Sequence, residues 1–298
     1  MKERSYLAHI AILLANLIYG ANYTIAKWVM PNYIKPFGFI FLRVLGALLF
    51  FWILHLLLPK ERIDKGDFPR LFFCGIFGVA LNQLMFFKGL ALSTPVNASL
   101  MMVTTPILVM LIAILAKKEV FTWIKALGIS LGAFGALLLL AGKEFNFSSD
   151  TALGNFFVFV NAASYGIYLS IVKPLMKKYK PLTIIKWVFL FGFIPVFFVG
   201  LQEFTRIEWS SFDWQIWLSV FYVVIGVTCF AYLFNIFALS KVNPSVVGIY
   251  IYLQPVIATW IAIYFQADSF DLVKGIAALC VFLGVYLLSF YKKEKEKI

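Results

Sequence analysis

The sequence predicts an all-α integral membrane protein: ten transmembrane helices arranged as two inverted five-helix repeats. Three observations carry this. Of the 298 residues, 62% are hydrophobic and only 13% charged, where soluble domains run nearer half apolar and a quarter charged. The apolar residues gather into ten runs, each close to the roughly 20 residues that a bilayer-spanning helix needs. Finally, Tyr19-Gly20-Ala21-Asn22-Tyr23-Thr24-Ile25-Ala26-Lys27 recurs in looser form as Tyr165-Gly166-Ile167-Tyr168-Leu169-Ser170-Ile171-Val172-Lys173, a shift of 146 positions. Self-similarity at a fixed spacing marks one unit written twice.

The first unit (residues 7–142) holds the runs Leu7–Trp28, Pro36–Leu58, Pro69–Leu92, Pro95–Ala116 and Phe121–Gly142. The second (residues 153–291) holds Leu153–Pro174, Pro181–Leu201, Phe212–Ala238, Pro244–Phe265 and Ser269–Tyr291. Each run must be a helix, because a backbone in lipid has to satisfy its own hydrogen bonds. Aromatic residues cluster near the run ends, as interfacial belts do. The first run has no short core followed by a small-residue cleavage site, so it is expected to persist as a span. Further pairs fall in register between the units. Ala91-Leu92-Ser93 matches Ala238-Leu239-Ser240, and Thr105-Pro106-Ile107 matches Gln254-Pro255-Val256. Glu119 matches Asp268, and Lys125 matches Lys274.

Loop charge sets the orientation. With the N-terminus cytoplasmic, the inner side holds Lys2 and Arg4, then Lys60, Arg62, Lys65 and Arg70, then Lys117, Lys118 and Lys125, then Lys173, Lys177, Lys178, Lys180 and Lys186, then Lys241, and the tail lysines 292, 293, 295 and 297. The outer side holds only Lys27, Lys35, Lys88, Lys143, Arg206 and Lys274. Both termini are therefore expected in the cytoplasm of a multi-pass protein of the plasma (inner) membrane. Five helices is an odd number, so the second unit enters from the opposite side. Inverted repeats of this kind are built around a mid-membrane substrate site in secondary carriers.

Composition and motifs exclude other classes. The net charge of +12 resides in loops, and no groove-reading module accompanies it, so nucleic acid is not an expected partner. Cys74, Cys229 and Cys280 lie inside apolar runs without metal-type spacing, which predicts neither a metal site nor a disulfide framework. No phosphate-binding loop of the Walker type occurs, against an ATP-driven pump. No charged ring or repeated filter suggests a channel. No convergent acid or histidine cluster in the spans suggests an intramembrane enzyme. No cofactor is expected.

The sequence resembles the EamA family of the drug/metabolite transporter superfamily, as two tandem units covering nearly the whole chain. The resemblance rests on the Tyr-Gly segments above, where the family usually has Trp-Gly, and on Phe41-Leu42-Arg43-Val44-Leu45-Gly46-Ala47. It rests also on Gly89-Leu90-Ala91-Leu92-Ser93 before Pro95-Val96-Asn97-Ala98-Ser99-Leu100, on Thr105-Pro106-Ile107, and on Glu119. It implies an exporter-like carrier whose central cavity is lined mainly by helices 1, 3, 4, 6, 8 and 9. Amino acids, drugs, sugars and other metabolites are all carried by the family. A membrane scaffold or regulatory protein is the alternative.

Polar side chains within spans are costly and often functional. The substrate-binding candidates are Tyr19 and Asn22 in helix 1, Asn82 in helix 3, Asn97 and Thr104 in helix 4, and Asn161, Tyr165 and Tyr168 in helix 6. Tyr232 and Asn235 in helix 8, and Tyr252 and Gln254 in helix 9, complete the set. Asn161, Tyr165 and Tyr168 share a helical face, and the repeat turns Tyr19 and Asn22 toward the same axis. The competing reading is interhelical hydrogen bonding. Asn82 and Gln83 are adjacent and so do not share a face. Pro106 and Pro255 each remove a backbone bond and clash with the preceding turn, predicting kinks in helices 4 and 9. Arg43 is the one charge well inside a span. It could contact an anionic group, but snorkelling or carbonyl bonding is the favoured reading. Lys27 and Lys173 are read as structural for the same reason. Glu119 and Asp268 are read as caps of helices 5 and 10. Gly128, Gly132 and Gly135 allow close packing that would serve either the fold or a homodimer. With no acid in mid-span, uniport or exchange of a small-molecule substrate is expected rather than coupling through a buried carboxylate.

Overall fold

A computed structural model describes residues 2–57, 61–140, 149–264 and 272–290. Among them the chain is helical and carries no strand. We number the helices α1 (Lys2–Val29), α2 (Pro36–Leu56) and α3, in which Phe68–Gly75, Ile76–Ala80 and Leu81–Leu92 run on as one rod. Helix α4 is split into Pro95–Met102 and Thr105–Leu115, and α5 is Trp123–Leu140. The second half repeats the series: α6 (Ser149–Val172), α7 (Pro181–Phe204) and α8 (Trp214–Phe221, Tyr222–Phe230, Ala231–Lys241). Then come α9 (Pro244–Ile249, a 3-10 turn at Tyr250–Tyr252, Leu253–Tyr264) and α10 (Leu272–Phe290). Among the described residues nine helices are long and apolar enough to cross a membrane, and α9 adds a shorter apolar stretch, Pro244–Ile257. The chain is thus a ten-helix membrane protein.

Proline at the first turn of α2, α4, α7 and α9 starts each helix where its missing N–H costs nothing. Proline further in has the opposite effect. Pro106 cannot bond to the turn before it, and α4 breaks at residues 103–104, tightened there by Val103 N–H to Leu100 O and Thr104 N–H to Met101 O, both 3.1 Å. Pro255 likewise follows the 3-10 turn in α9. The outward surfaces carry exposed leucine, phenylalanine and tryptophan, such as Leu115, Trp123, Phe198 and Leu272, a composition suited to lipid rather than water.

The packing obeys the repeat. Helix α1 lies against α8 and α9; its counterpart α6 lies against α3 and α4. Helix α2 packs on α7, α4 on α9, and α5 on α10. Exchanging the two halves maps this pattern onto itself, as a pseudo-twofold axis requires. Distortions repeat too: α3 and α8 each contain a π-helical segment, Ile76–Ala80 and Tyr222–Phe230, at matching depth.

Lysines at matching positions end these helices. Lys27 Nζ donates to the carbonyls of Leu90 (2.9 Å), Ala91 (3.0 Å) and Ser93 (2.9 Å) at the end of α3. Lys173 Nζ donates to Leu239 and Val242 at the end of α8. A cation there satisfies carbonyls left over by the helix and favours its dipole. The glycines of α5 are used inside the chain. A Cβ on Gly128 would lie 3.0 Å from Gly284 O, and one on Gly135 2.5 Å from Ala277 O, both on α10. One on Gly132 would lie 2.4 Å from the Tyr252 ring.

Glu119 does not cap its own helix. Its Oε1 accepts from Ser245 N–H (2.9 Å) in the first turn of α9, while Oε2 pairs with Lys125 Nζ at 2.8 Å. The loop between α4 and α5 is short enough to swing the acid onto the neighbouring repeat, where free N–H groups wait. Asp268, the matching residue, lies outside the described residues. At the same face Asp67 Oδ2 accepts from Lys178 Nζ (2.8 Å) and Tyr179 OH (2.7 Å). The bond to Asp67 raises the Lys178 pKa above its ordinary value. At the opposite face Glu203 Oε2 accepts from the N–H groups of Phe37 (2.7 Å) and Gly38 (3.0 Å), capping α2. The two halves are joined at both faces.

Candidate functional site

A cavity of about 100 Å³ lies between the repeats. Helices α1, α2, α3, α4, α6, α8 and α9 each contribute to its wall. Tyr19, Asn22, Asn82, Asn161, Tyr165, Tyr232, Asn235 and Gln254 line it, and so does Arg43.

Three hydrogen-bonded clusters hold the wall. In the first, Asn235 is clamped between the repeat-related tyrosines: its Nδ2 donates to Tyr19 OH (3.2 Å), and Tyr165 OH donates to its Oδ1 (3.3 Å). In the second, Asn82 and Asn161 exchange bonds across α3 and α6. Asn161 Nδ2 donates to Asn82 O at 2.8 Å, and Asn82 Nδ2 to Asn161 O at 3.4 Å. The third crosses from α1 to α9: Tyr23 OH donates to Gln254 Oε1 (3.1 Å), and Gln254 Nε2 to Asn16 Oδ1 (2.8 Å).

The π segments serve this wall. Widening the turn frees carbonyls that an α-helix would use itself. Ser164 Oγ donates to Phe77 O at 2.6 Å, and Tyr232 OH lies 3.3 Å from Gly78 O. In α8, Thr228 Oγ1 donates to Val223 O (2.8 Å) and accepts from Arg43 Nε (2.8 Å). Arg43 is 2% exposed. It therefore does not snorkel, and the face of Phe87 covers its guanidinium at 4.2 Å.

Comparison with known proteins gives these features a family. The model of the EamA-like transporter family matches residues 6–141 and again 152–290. The chain belongs to the EamA-like transporter family. An uncharacterized transporter of Archaeoglobus fulgidus is 24% identical, covering 94% of this chain and 97% of its own length. Transporter YetK of Bacillus subtilis, also described as uncharacterized, is 26% identical over 97% of this chain and 88% of its own. The Arabidopsis thaliana protein WALLS ARE THIN 1 is 22% identical over 97% and 84%. A crystal structure at 18% identity shares the fold, with a TM-score of 0.75 over 97% of this chain and 96% of that one. The chain is accordingly a membrane transporter.

Other residues singled out in the sequence sit elsewhere in the transporter. Tyr168 is 4% exposed and packs on Gly78, whose Cβ would meet its ring at 2.4 Å. It shares a face with Tyr165, their ring centroids 6.4 Å apart, but it is not among the residues that line the cavity. Tyr252 is buried over Gly132 and borders a minor recess with Gln254 rather than the main cavity. Asn97 is buried in the first turn of α4, its backbone N–H bonded to Thr94 Oγ1 at 3.1 Å. Thr104 turns its hydroxyl back onto Met101 O (2.7 Å) at the break. Met102, not Asn97 or Thr104, represents α4 in the wall.

The candidate set omitted Asn16, Tyr23 and Gln83, and the apolar side chains Phe86, Phe87, Val227, Val247 and Ile251. Adjacency had argued against Gln83 beside Asn82. Both reach the wall because α3 is wedged between its neighbours: Asn82 meets α6, while Gln83 Nε2 donates to Tyr232 OH on α8 at 3.1 Å. The one-turn spacing from Asn82 to Phe86 and from Gln83 to Phe87 was the available signal.

Proposed function

We propose that this chain is a carrier that exports a small polar or amphipathic solute across the plasma membrane by alternating access, with both termini cytoplasmic. The carrying observation is a polar cavity at the interface of two pseudo-symmetric repeats, each with a broken helix, α4 or α9, beside it. Such helices in inverted-repeat carriers flank the site and move around it. The export direction rests only on the family resemblance read in the sequence. The wall presents amides, phenols and one guanidinium, so proton coupling through a buried carboxylate has no carrier group there, and uniport or exchange follows.

Counterflow in proteoliposomes tests this. Vesicles loaded with unlabelled amino acids, hydroxy acids, nucleosides or sugars are diluted into traces of the labelled compound. At least one class should accumulate transiently, and an imposed pH gradient should leave the rate within about twofold. Absence of flux across the panel would favour a scaffold role. Flux that requires the proton gradient and stops when one acid is replaced would overturn the uncoupled mechanism.

A further inference from the structure

The geometry points to Arg43 as the anion-binding group of the cavity, so that the transported solute carries a single carboxylate. This rests on the carrier reading above.

Arg43 is buried, lines the cavity, and uses only part of its donor set. Nε is spent on Thr228, and Phe87 covers one face of the guanidinium without consuming an N–H. Nη1 is buried and has no hydrogen-bond partner. Among the described residues no acid forms an ion pair with it: the ion pairs found are Lys125–Glu119 and Lys178–Asp67, both away from the cavity. An arginine without a counter-charge in a membrane interior is expensive. A carboxylate arriving on the cavity side supplies the missing charge and a bidentate acceptor.

One guanidinium matches one negative charge. Lys27 and Lys173 are committed to helix-end carbonyls, so no second cation from them is free for a phosphate dianion. The wall also offers open acceptors. Asn22 Oδ1, Gln83 Oε1 and Asn161 Oδ1 are buried, unpartnered, and on residues lining the same cavity. A carboxylate cannot satisfy them, so the solute also carries hydroxyl, amine or amide donors. Phe86, Phe87 and the tyrosines accommodate an apolar body between these poles.

The test compares matched pairs on the purified protein. 2-Hydroxybutyrate, 3-phenyllactate and N-acetylalanine are each run against the corresponding primary amide in a thermal-shift titration at fixed ionic strength, with sodium sulfate, which has no carboxylate, as background. The expected result is that acids raise the melting temperature of the wild type and amides do so at least tenfold more weakly. Arg43→Gln should abolish the preference, and Arg43→Lys should retain a weakened one, since an ammonium keeps the charge but not the fork. The wild-type comparison stands even if Arg43→Gln fails to fold. Amides that bind as well as acids, acids that bind Arg43→Gln undiminished, or no shift from any acid would overturn the assignment. So would chloride alone producing the full shift. If neutral solutes undergo counterflow, the carrier survives and only Arg43's role falls. If nothing does, the carrier reading fails and this inference with it.

Discussion

Replacing Glu119 with alanine is expected to lower stability by about 3 kcal/mol, the cost of stripping one partner from a buried ion pair. The Glu119 carboxylate is fully buried and Lys125 only 12% exposed, so water cannot replace the lost partner. The same change removes the acceptor for Ser245 N–H at the start of α9. Glu119 belongs to the first repeat and α9 to the second, so the loss is one of inter-repeat docking as well as of a cap. Glu119→Gln keeps an acceptor for the backbone but not the charge, and should fall between wild type and Glu119→Ala. Thermal unfolding followed by tryptophan fluorescence in detergent measures the order. If Glu119→Ala melts with the wild type, the contact does not hold the repeats together.

Asn235→Leu is the change expected to hurt transport most for its size. It removes the hinge between Tyr19 and Tyr165, leaving two phenols without their shared partner at the cavity wall. Each lost bond is worth roughly 1 kcal/mol, and a 1.4 kcal/mol loss is tenfold in affinity. We therefore expect exchange to drop at least tenfold while the protein still purifies as a folded species. Tyr165→Phe, which removes one hydroxyl only, should cost a fewfold. An Asn235→Leu protein with wild-type exchange would mean that this wall is packing rather than site.

The architecture was legible in the sequence because membrane helices announce themselves by length and apolarity, and because duplication left Tyr19/Tyr165 and Lys27/Lys173 in register. The two lysines then proved to do the same job at the ends of α3 and α8. Site residues were harder to read. Helical periodicity reports angle but not which neighbour covers a face, so Tyr168 shares a face with Tyr165 yet is packed on Gly78 and does not line the cavity. Asn97 is buried in the first turn of α4 and Thr104 bonds its hydroxyl to Met101 O at the break, so Met102 is the α4 side chain that lines the cavity. Glu119 looked like a cap of α5 because sequence shows only local neighbours, whereas its partner Ser245 is 126 positions away. Arg43 was weighed as a snorkelling residue. Nothing in its own run shows Thr228 and Phe87 closing over it.

In the proposed carrier one cavity, between two inverted repeats, is served in turn from both sides of the membrane. A single cysteine tests it most directly: Asn22→Cys at the cavity wall, in a background where Cys74, Cys229 and Cys280 are replaced by alanine. Membrane-impermeant thiol reagents are applied to right-side-out and inside-out vesicles carrying this transport-competent variant. Labelling is expected from both sides, with each rate lowered when a transported solute occupies the cavity. Labelling from one side only, or rates indifferent to that solute, would contradict it.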